Sequence, residues 1–115
     1  MHELSIVMGI VEIAESETAK TNADSVNSIT LEIGTLSGIV MEALDFAWQS
    51  AIKGTVLEKA ELVIKHVKAV ARCKECGHEF EAETLYQECP SCKSYFTDII
   101  KGKEMKVLSL TVDKE

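Results

Sequence analysis

All four cysteines of this 115-residue chain fall in two short pairs, Cys73-Lys74-Glu75-Cys76 and Cys89-Pro90-Ser91-Cys92, separated by a dozen residues. No other feature constrains the fold as tightly. Each CxxC pair can wrap a tight turn around one ion and place two sulfurs at two corners of a tetrahedron. Gly77, directly after the first pair, permits the left-handed conformation that such turns often need. Four thiolates fill a tetrahedral zinc and leave no position for water or substrate. Such a site is structural and not a Lewis-acid catalyst. Two disulfides are the alternative in an oxidising compartment, and a rubredoxin-like iron takes the same four ligands. A rubredoxin would be mostly iron domain, whereas most of this chain lies outside the cysteine segment.

The rest of the chain supplies the frame. From Glu3 to about Ala19, Leu4, Val7, Met8, Val11 and Ala14 recur at helical spacing, widened by Ile6, Ile10 and Ile13. A loop at Thr21-Asn22-Ala23-Asp24 leads to Ile29, Leu31 and Ile33, which alternate with Thr30 and Glu32 as in a half-buried strand closed by Gly34. A second helix is predicted from about Val40 to Lys53, with Leu44, Trp48, Ala51 and Ile52 inward and Gly54 as its cap. Glu61 to Val67 alternates again. A last strand, about Glu104 to Val112, places Leu108, Leu110 and Val112 on one side. Because the cysteine segment lies between two strands, the final strand can pair back into the first sheet. The expected fold is mixed α+β: a three-stranded sheet with two helices on one face, plus an inserted zinc-ribbon lobe. Residues 1–69 with 104–115 would form the α/β domain, and 70–103 the ribbon.

Charge narrows the partners. The net charge is −7 and the only arginine is Arg72. Nucleic-acid binding usually leaves a basic footprint, so protein or metal partners are expected instead. No apolar run reaches the roughly 18–20 residues that cross a bilayer. The apolar stretch Leu4–Ala14 has no basic region before it and is interrupted or followed by Glu12, Glu15 and Glu17, a poor signal peptide. A cytoplasmic protein that does not bind membranes is expected. No nucleophile–base pair or phosphate-binding glycine loop is present, so no catalysis is assigned.

The first three residues, Met1-His2-Glu3, carry chemistry that composition hides. A free α-amine, the backbone nitrogen of His2 and its imidazole Nδ1 close two fused chelate rings on one ion. Three nitrogens in a plane suit Ni(II) or Cu(II). The fourth position is open to the Glu3 backbone, its carboxylate, or a group from elsewhere. Met1 must be retained, which a bulky second residue favours. On the residues alone, a lone histidine at a frayed helix start is the plainer reading. His78 reads as a solvent-facing or supporting imidazole beside the first cysteine pair, and His66 as a packed or edge histidine.

Taken in order, Met1-His2-Glu3-Leu4-Ser5, Ile33-Gly34-Thr35-Leu36-Ser37-Gly38, Leu44-Asp45-Phe46-Ala47, Gly54-Thr55, Ala60-Glu61-Leu62, the two CxxC pairs and Gly102 resemble the HypA/HybF family over nearly the whole chain. Members are nickel metallochaperones of nickel–iron hydrogenase maturation. The resemblance implies a nickel site at Met1, His2 and Glu3, with Ni(II) as transient cargo. It also implies a structural Zn(II) site at Cys73, Cys76, Cys89 and Cys92. The implied partners are the accessory GTPase HypB, the hydrogenase large subunit and, in some organisms, the urease machinery. A monomer or weak homodimer is expected. One departure is visible: many members have glycine after the last cysteine and some have histidine, whereas Lys93 stands here. Remodelling of the zinc site by a second histidine beside His78 is therefore not supported.

Overall fold

The structure, a computed structural model, describes residues 3–113. The element order is α1 (Glu3–Thr21), β1 (Ser25–Gly34), α2 (Met41–Ala51), β2 (Glu61–Val67), β3 (Val70–Cys73), β4 (Glu79–Glu81), β5 (Thr97–Lys101) and β6 (Met105–Asp113). The strands form two three-stranded sheets, in the orders β2-β1-β6 and β4-β3-β5. The final strand does return to the first sheet, beside β1. The fold class read from the sequence is the fold observed. No helix among the described residues is long and apolar enough to cross a membrane.

The chain divides into two compact units, one made of Met1–Leu31, Ile39–Ile64 and Val107–Glu115, the other of Glu32–Gly38 and Lys65–Lys106. In the first unit α1 packs against α2. Its buried apolar side chains are Val7, Ile10 and Ala14 from α1, Val26, Ile29 and Leu31 from β1, Leu44, Ala47 and Trp48 from α2, and Leu57. The alternation of Ile29, Leu31 and Ile33 holds as predicted, each being buried.

Three parts of the sequence reading are corrected. On α1 the buried stripe is Glu3, Val7, Ile10, Ala14 and Thr18, whereas Leu4 and Met8 are exposed. Nearly every position from Leu4 to Val11 is apolar, so several helical stripes compete, and packing on α2 selects one of them. On β6, Leu108 and Ser109 are both exposed, while Met105 and Val107 before them and Leu110 and Val112 after them are half-buried. The alternation changes phase there, as an inserted residue in a strand would produce. On α2, Ala51 and Ile52 are only half-buried, and the inward positions are Leu44, Ala47 and Trp48.

The second unit is built around β3. It pairs antiparallel with β4 through Val70–Glu81, Ala71–Phe80 and Arg72–Glu79, and with β5 through Ala71–Ile99, Arg72–Asp98 and Cys73–Thr97. Its apolar cluster is small: Ala69, Ala71 and Ala82, with Leu36, Phe80 and Ile99 packed against them. Gly34 and Gly102 allow the backbone to close at one point. A Cβ on Gly34 would lie 2.0 Å from the Gly102 carbonyl oxygen, and one on Gly102 would lie 2.3 Å from the Ala69 Cα. The Gly34 N–H donates to the Glu104 carbonyl at 2.8 Å, and the Leu36 N–H to that of Gly102, also at 2.8 Å.

Candidate metal centre

Two nearly identical backbone turns present the cysteines. In the first, the Cys73 N–H donates to the His78 carbonyl at 2.9 Å and the Gly77 N–H donates to the Cys73 carbonyl at 2.9 Å. In the second, the Cys89 N–H donates to the Ser94 carbonyl at 2.7 Å and the Lys93 N–H to the Cys89 carbonyl at 2.9 Å. The residue after each pair has positive φ, +79° at Gly77 and +67° at Lys93. Gly77 adopts it freely, and Lys93 does so against the usual cost of a Cβ there. The Ser94 hydroxyl joins the turns by donating to a Glu75 carboxylate oxygen at 3.0 Å, and the Lys74 N–H donates to the Phe96 carbonyl at 2.8 Å.

The four sulfurs converge within 4.8 Å of one another. The closest approaches are 3.5 Å between Cys73 and Cys92 and 3.6 Å between Cys76 and Cys89. All four cysteines are free thiols. A zinc ion with four bonds of about 2.3 Å requires sulfurs about 3.8 Å apart, so the donor set fits a tetrahedral zinc. Cys73 and Cys89 are buried; Cys76 and Cys92 are exposed.

Electrostatics points the same way. The Cys76 backbone N–H, 3.5 Å from the Cys73 sulfur, is the largest influence drawing the Cys73 thiol down to about 7. Cys92 moves in the opposite direction. The Ser94 backbone favours its thiolate, but the Cys73 sulfur, burial and the other two sulfurs outweigh it and push the group up to about 12. Cys76 is also raised, since burial and the neighbouring sulfurs, Cys89 foremost, overcome the His78 backbone that favours its thiolate. Four thiolates this close repel, and a divalent cation removes the conflict.

Among the described residues, these cysteines are the only cluster of metal-ligating side chains. His78 is exposed and stacks on Phe80, with ring centroids 6.1 Å apart. His66 is exposed on β2, an edge strand of the first sheet, as the edge alternative for it expected. Met1 and His2 lie outside the described residues. Glu3 lies within them and is buried, 7% exposed, with a carboxylate oxygen accepting the Val40 N–H at 3.1 Å. It also lines a cleft of about 380 Å³ with Leu4, Ala43, Phe46, Ala47 and Ser50. Sequence reasoning missed this engagement of Glu3, because the partner lies 37 residues away and offers only its backbone.

Comparison with known proteins agrees with the site. Residues 1–112 match the model of a family described as HypA, hydrogenase/urease nickel incorporation, metallochaperone. The hydrogenase maturation factor HypA of Parabacteroides distasonis is 43% identical over 115 residues, all of both chains. That of Francisella philomiragia is 44% identical over 110 residues, 96% of this chain and 97% of its own. The solution structure of the Ni metallochaperone HypA from Helicobacter pylori superposes with a TM-score of 0.71 at 30% identity, covering all of both chains. With converging thiols in a three-stranded lobe and a likeness that runs end to end, the chain belongs to the HypA family of hydrogenase-maturation nickel metallochaperones, which are maturation factors and not enzymes.

Proposed function

We propose that this chain binds Ni(II) at Met1, His2 and Glu3, through the α-amine of Met1 and the backbone and imidazole of His2, with the fourth position filled by the backbone of Glu3, its carboxylate or a group from elsewhere. It then passes the ion on by ligand exchange during hydrogenase maturation. The observation that carries this reading is the match over residues 1–112 to a family described as incorporating nickel, in a chain that opens Met1-His2-Glu3. Three planar nitrogens suit Ni(II), and a terminal site can release one position at a time to an incoming ligand. Zinc on Cys73, Cys76, Cys89 and Cys92 holds the ribbon, residues 70–103, together. The α/β domain, residues 1–69 with 104–115, carries the nickel. The zinc supplies no open position, so the cysteines position the lobe and take no part in nickel transfer.

The partners under this reading are the accessory GTPase HypB and the hydrogenase large subunit, with urease accessory proteins as a second route, all in the cytoplasm. The chain acts as a monomer or weak homodimer and binds neither nucleic acid nor membrane. Energy for directional transfer comes from the GTPase. Complementation of a bacterium lacking its own HypA tests the reading. The wild-type chain restores hydrogenase activity at low nickel and His2→Ala does not. Equal rescue by both would sink it.

A further inference from the structure

The two cysteine turns are joined by a side-chain contact that neither CxxC pair requires. Cys73 and Cys89 are buried, whereas Cys76 and Cys92 are exposed, so an incoming ligand meets the site at the exposed sulfurs. Glu75 directly precedes Cys76, and Ser94 follows Cys92 by two residues. The Ser94 hydroxyl donates to a Glu75 carboxylate oxygen at 3.0 Å. The same hydroxyl accepts the Phe96 N–H, also at 3.0 Å, which fixes its oxygen and leaves its proton for the carboxylate. The partners lie 19 positions apart, so the bond clasps one turn to the other and belongs to neither. A hydrogen bond to an ionised acceptor is stronger than one between neutral groups. The turns are also joined by the Lys74 N–H, which donates to the Phe96 carbonyl at 2.8 Å, and by the Lys74 ammonium, 3.3 Å from an Asp98 carboxylate oxygen.

A four-thiolate site releases its ion in stages. Each turn supplies two sulfurs, so complete release needs the turns to part. The Ser94–Glu75 bond opposes that parting beside the exposed sulfurs. Attraction to the site does not account for Glu75, because four thiolates outweigh a divalent cation and a further negative charge nearby is unfavourable. The hydrogen bond does account for it. We propose that Ser94 and Glu75 form a latch between the two cysteine turns: they are positioning residues that ligate nothing and set how fast the bound ion leaves. On the reading above, the chain gives up one metal and keeps another, and such a latch separates the two by rate. This inference rests on zinc occupying the four cysteines and does not depend on the nickel terminus.

The test uses the zinc-loaded full chain with Glu75→Gln, Glu75→Ala, Ser94→Thr, Ser94→Ala and the double alanine variant. Three quantities are read: the rate of zinc transfer to the chromophoric chelator pyridylazoresorcinol, hydrogen exchange across Val70–Cys73, and the absorption of the cobalt-substituted protein. Glu75→Ala and Ser94→Ala should each speed transfer about fivefold, the scale of one net hydrogen bond. The double variant should be no faster than Ser94→Ala alone. Ser94→Thr keeps the hydroxyl and Glu75→Gln keeps an acceptor oxygen, so both should stay close to wild type. Exchange and cobalt absorption should be unchanged throughout. Wild-type transfer in Glu75→Ala, or the same acceleration by Glu75→Ala with and without Ser94→Ala, overturns the inference. A changed cobalt spectrum in Glu75→Ala makes the carboxylate a ligand and overturns it too. So does exchange along β3 that rises in step with transfer, because the bond would then only hold the lobe folded. If metal analysis finds no zinc on the wild-type chain, the zinc reading itself is wrong and the inference falls with it. The two failures are therefore distinguishable.

Discussion

Lys93 occupies the position in the second cysteine turn that Gly77 occupies in the first, with the same hydrogen bond and the same sign of φ. The left-handed region costs an L-residue roughly 1–2 kcal/mol. Lys93→Gly should therefore stabilise the zinc-loaded protein by about 1 kcal/mol in urea unfolding, and Lys93→Ala should give no gain. Equal stability of all three would show that the turn carries no such strain. A second expectation concerns protons. Zinc takes thiolates, while Cys76 and Cys92, both raised above the ordinary thiol value, keep their protons at neutral pH in the absence of metal. Binding expels at least those two, so affinity falls as pH falls. Chelator competition should show it dropping about a hundredfold from pH 7 to pH 6. A drop of less than tenfold would contradict the two raised thiols. At this scale the four cysteines and the freedom of Gly77 were legible, because the spacing itself encodes the turn. The strain at Lys93 was not, since lysine carries no turn signal. The Glu3–Val40 contact was invisible because it is non-local and ends on a backbone group.

At the scale of elements, the sequence reading succeeded where period and polarity agree and failed where they do not. From Ile29 to Ile33, β1 alternates between apolar and polar residues, and that buried face was predicted. α1 is apolar almost all round in its first half, and its buried stripe begins and ends on polar residues, Glu3 and Thr18, so periodicity alone could not choose it. The phase change in β6 leaves no compositional trace. Gly102 is the sharpest element-level test. It combines φ +109° with a Cβ position 2.3 Å from backbone, whereas Gly38, at φ +84°, has open space around it. Gly38→Ala should cost about 1 kcal/mol, for conformation alone. Gly102→Ala should cost at least about 3 kcal/mol, since overpacking adds to the conformational cost. Similar losses for both, measured by urea unfolding, would mean that the close approach of Gly102 to Ala69 relaxes without penalty.

For the molecule as a whole, the two units differ in charge and in how they are held. The first unit carries eleven acidic residues against four basic ones, and the second carries eight of each. The acidity of the chain therefore belongs to the unit that contains the proposed nickel-binding terminus, where a negative field attracts cations. The first unit has an extensive apolar core, whereas the second rests on three alanines and their half-buried neighbours. So small a cluster needs a metal. Stripping zinc should abolish hydrogen-exchange protection across Val70–Cys73 while Val7–Ala14 stays protected. Protection unchanged in both would mean that the second unit folds without its ion. The cysteine pairs interrupt a strand-forming sequence that resumes after them, but the unit that holds them is wider than residues 70–103 and takes in Glu32–Gly38 and the whole of Lys65–Lys106.

The central claim is that nickel sits on the chain terminus, apart from the cysteines. Its most direct test is calorimetric titration of nickel into the zinc-loaded protein, beside His2→Ala and a variant with one glycine added before Met1. Zinc content is checked in each sample. The expected result is one tight nickel site in the wild type and its loss in both variants, with zinc retained. Equal nickel binding by all three would contradict it and move the search to His66, His78 and the cysteines.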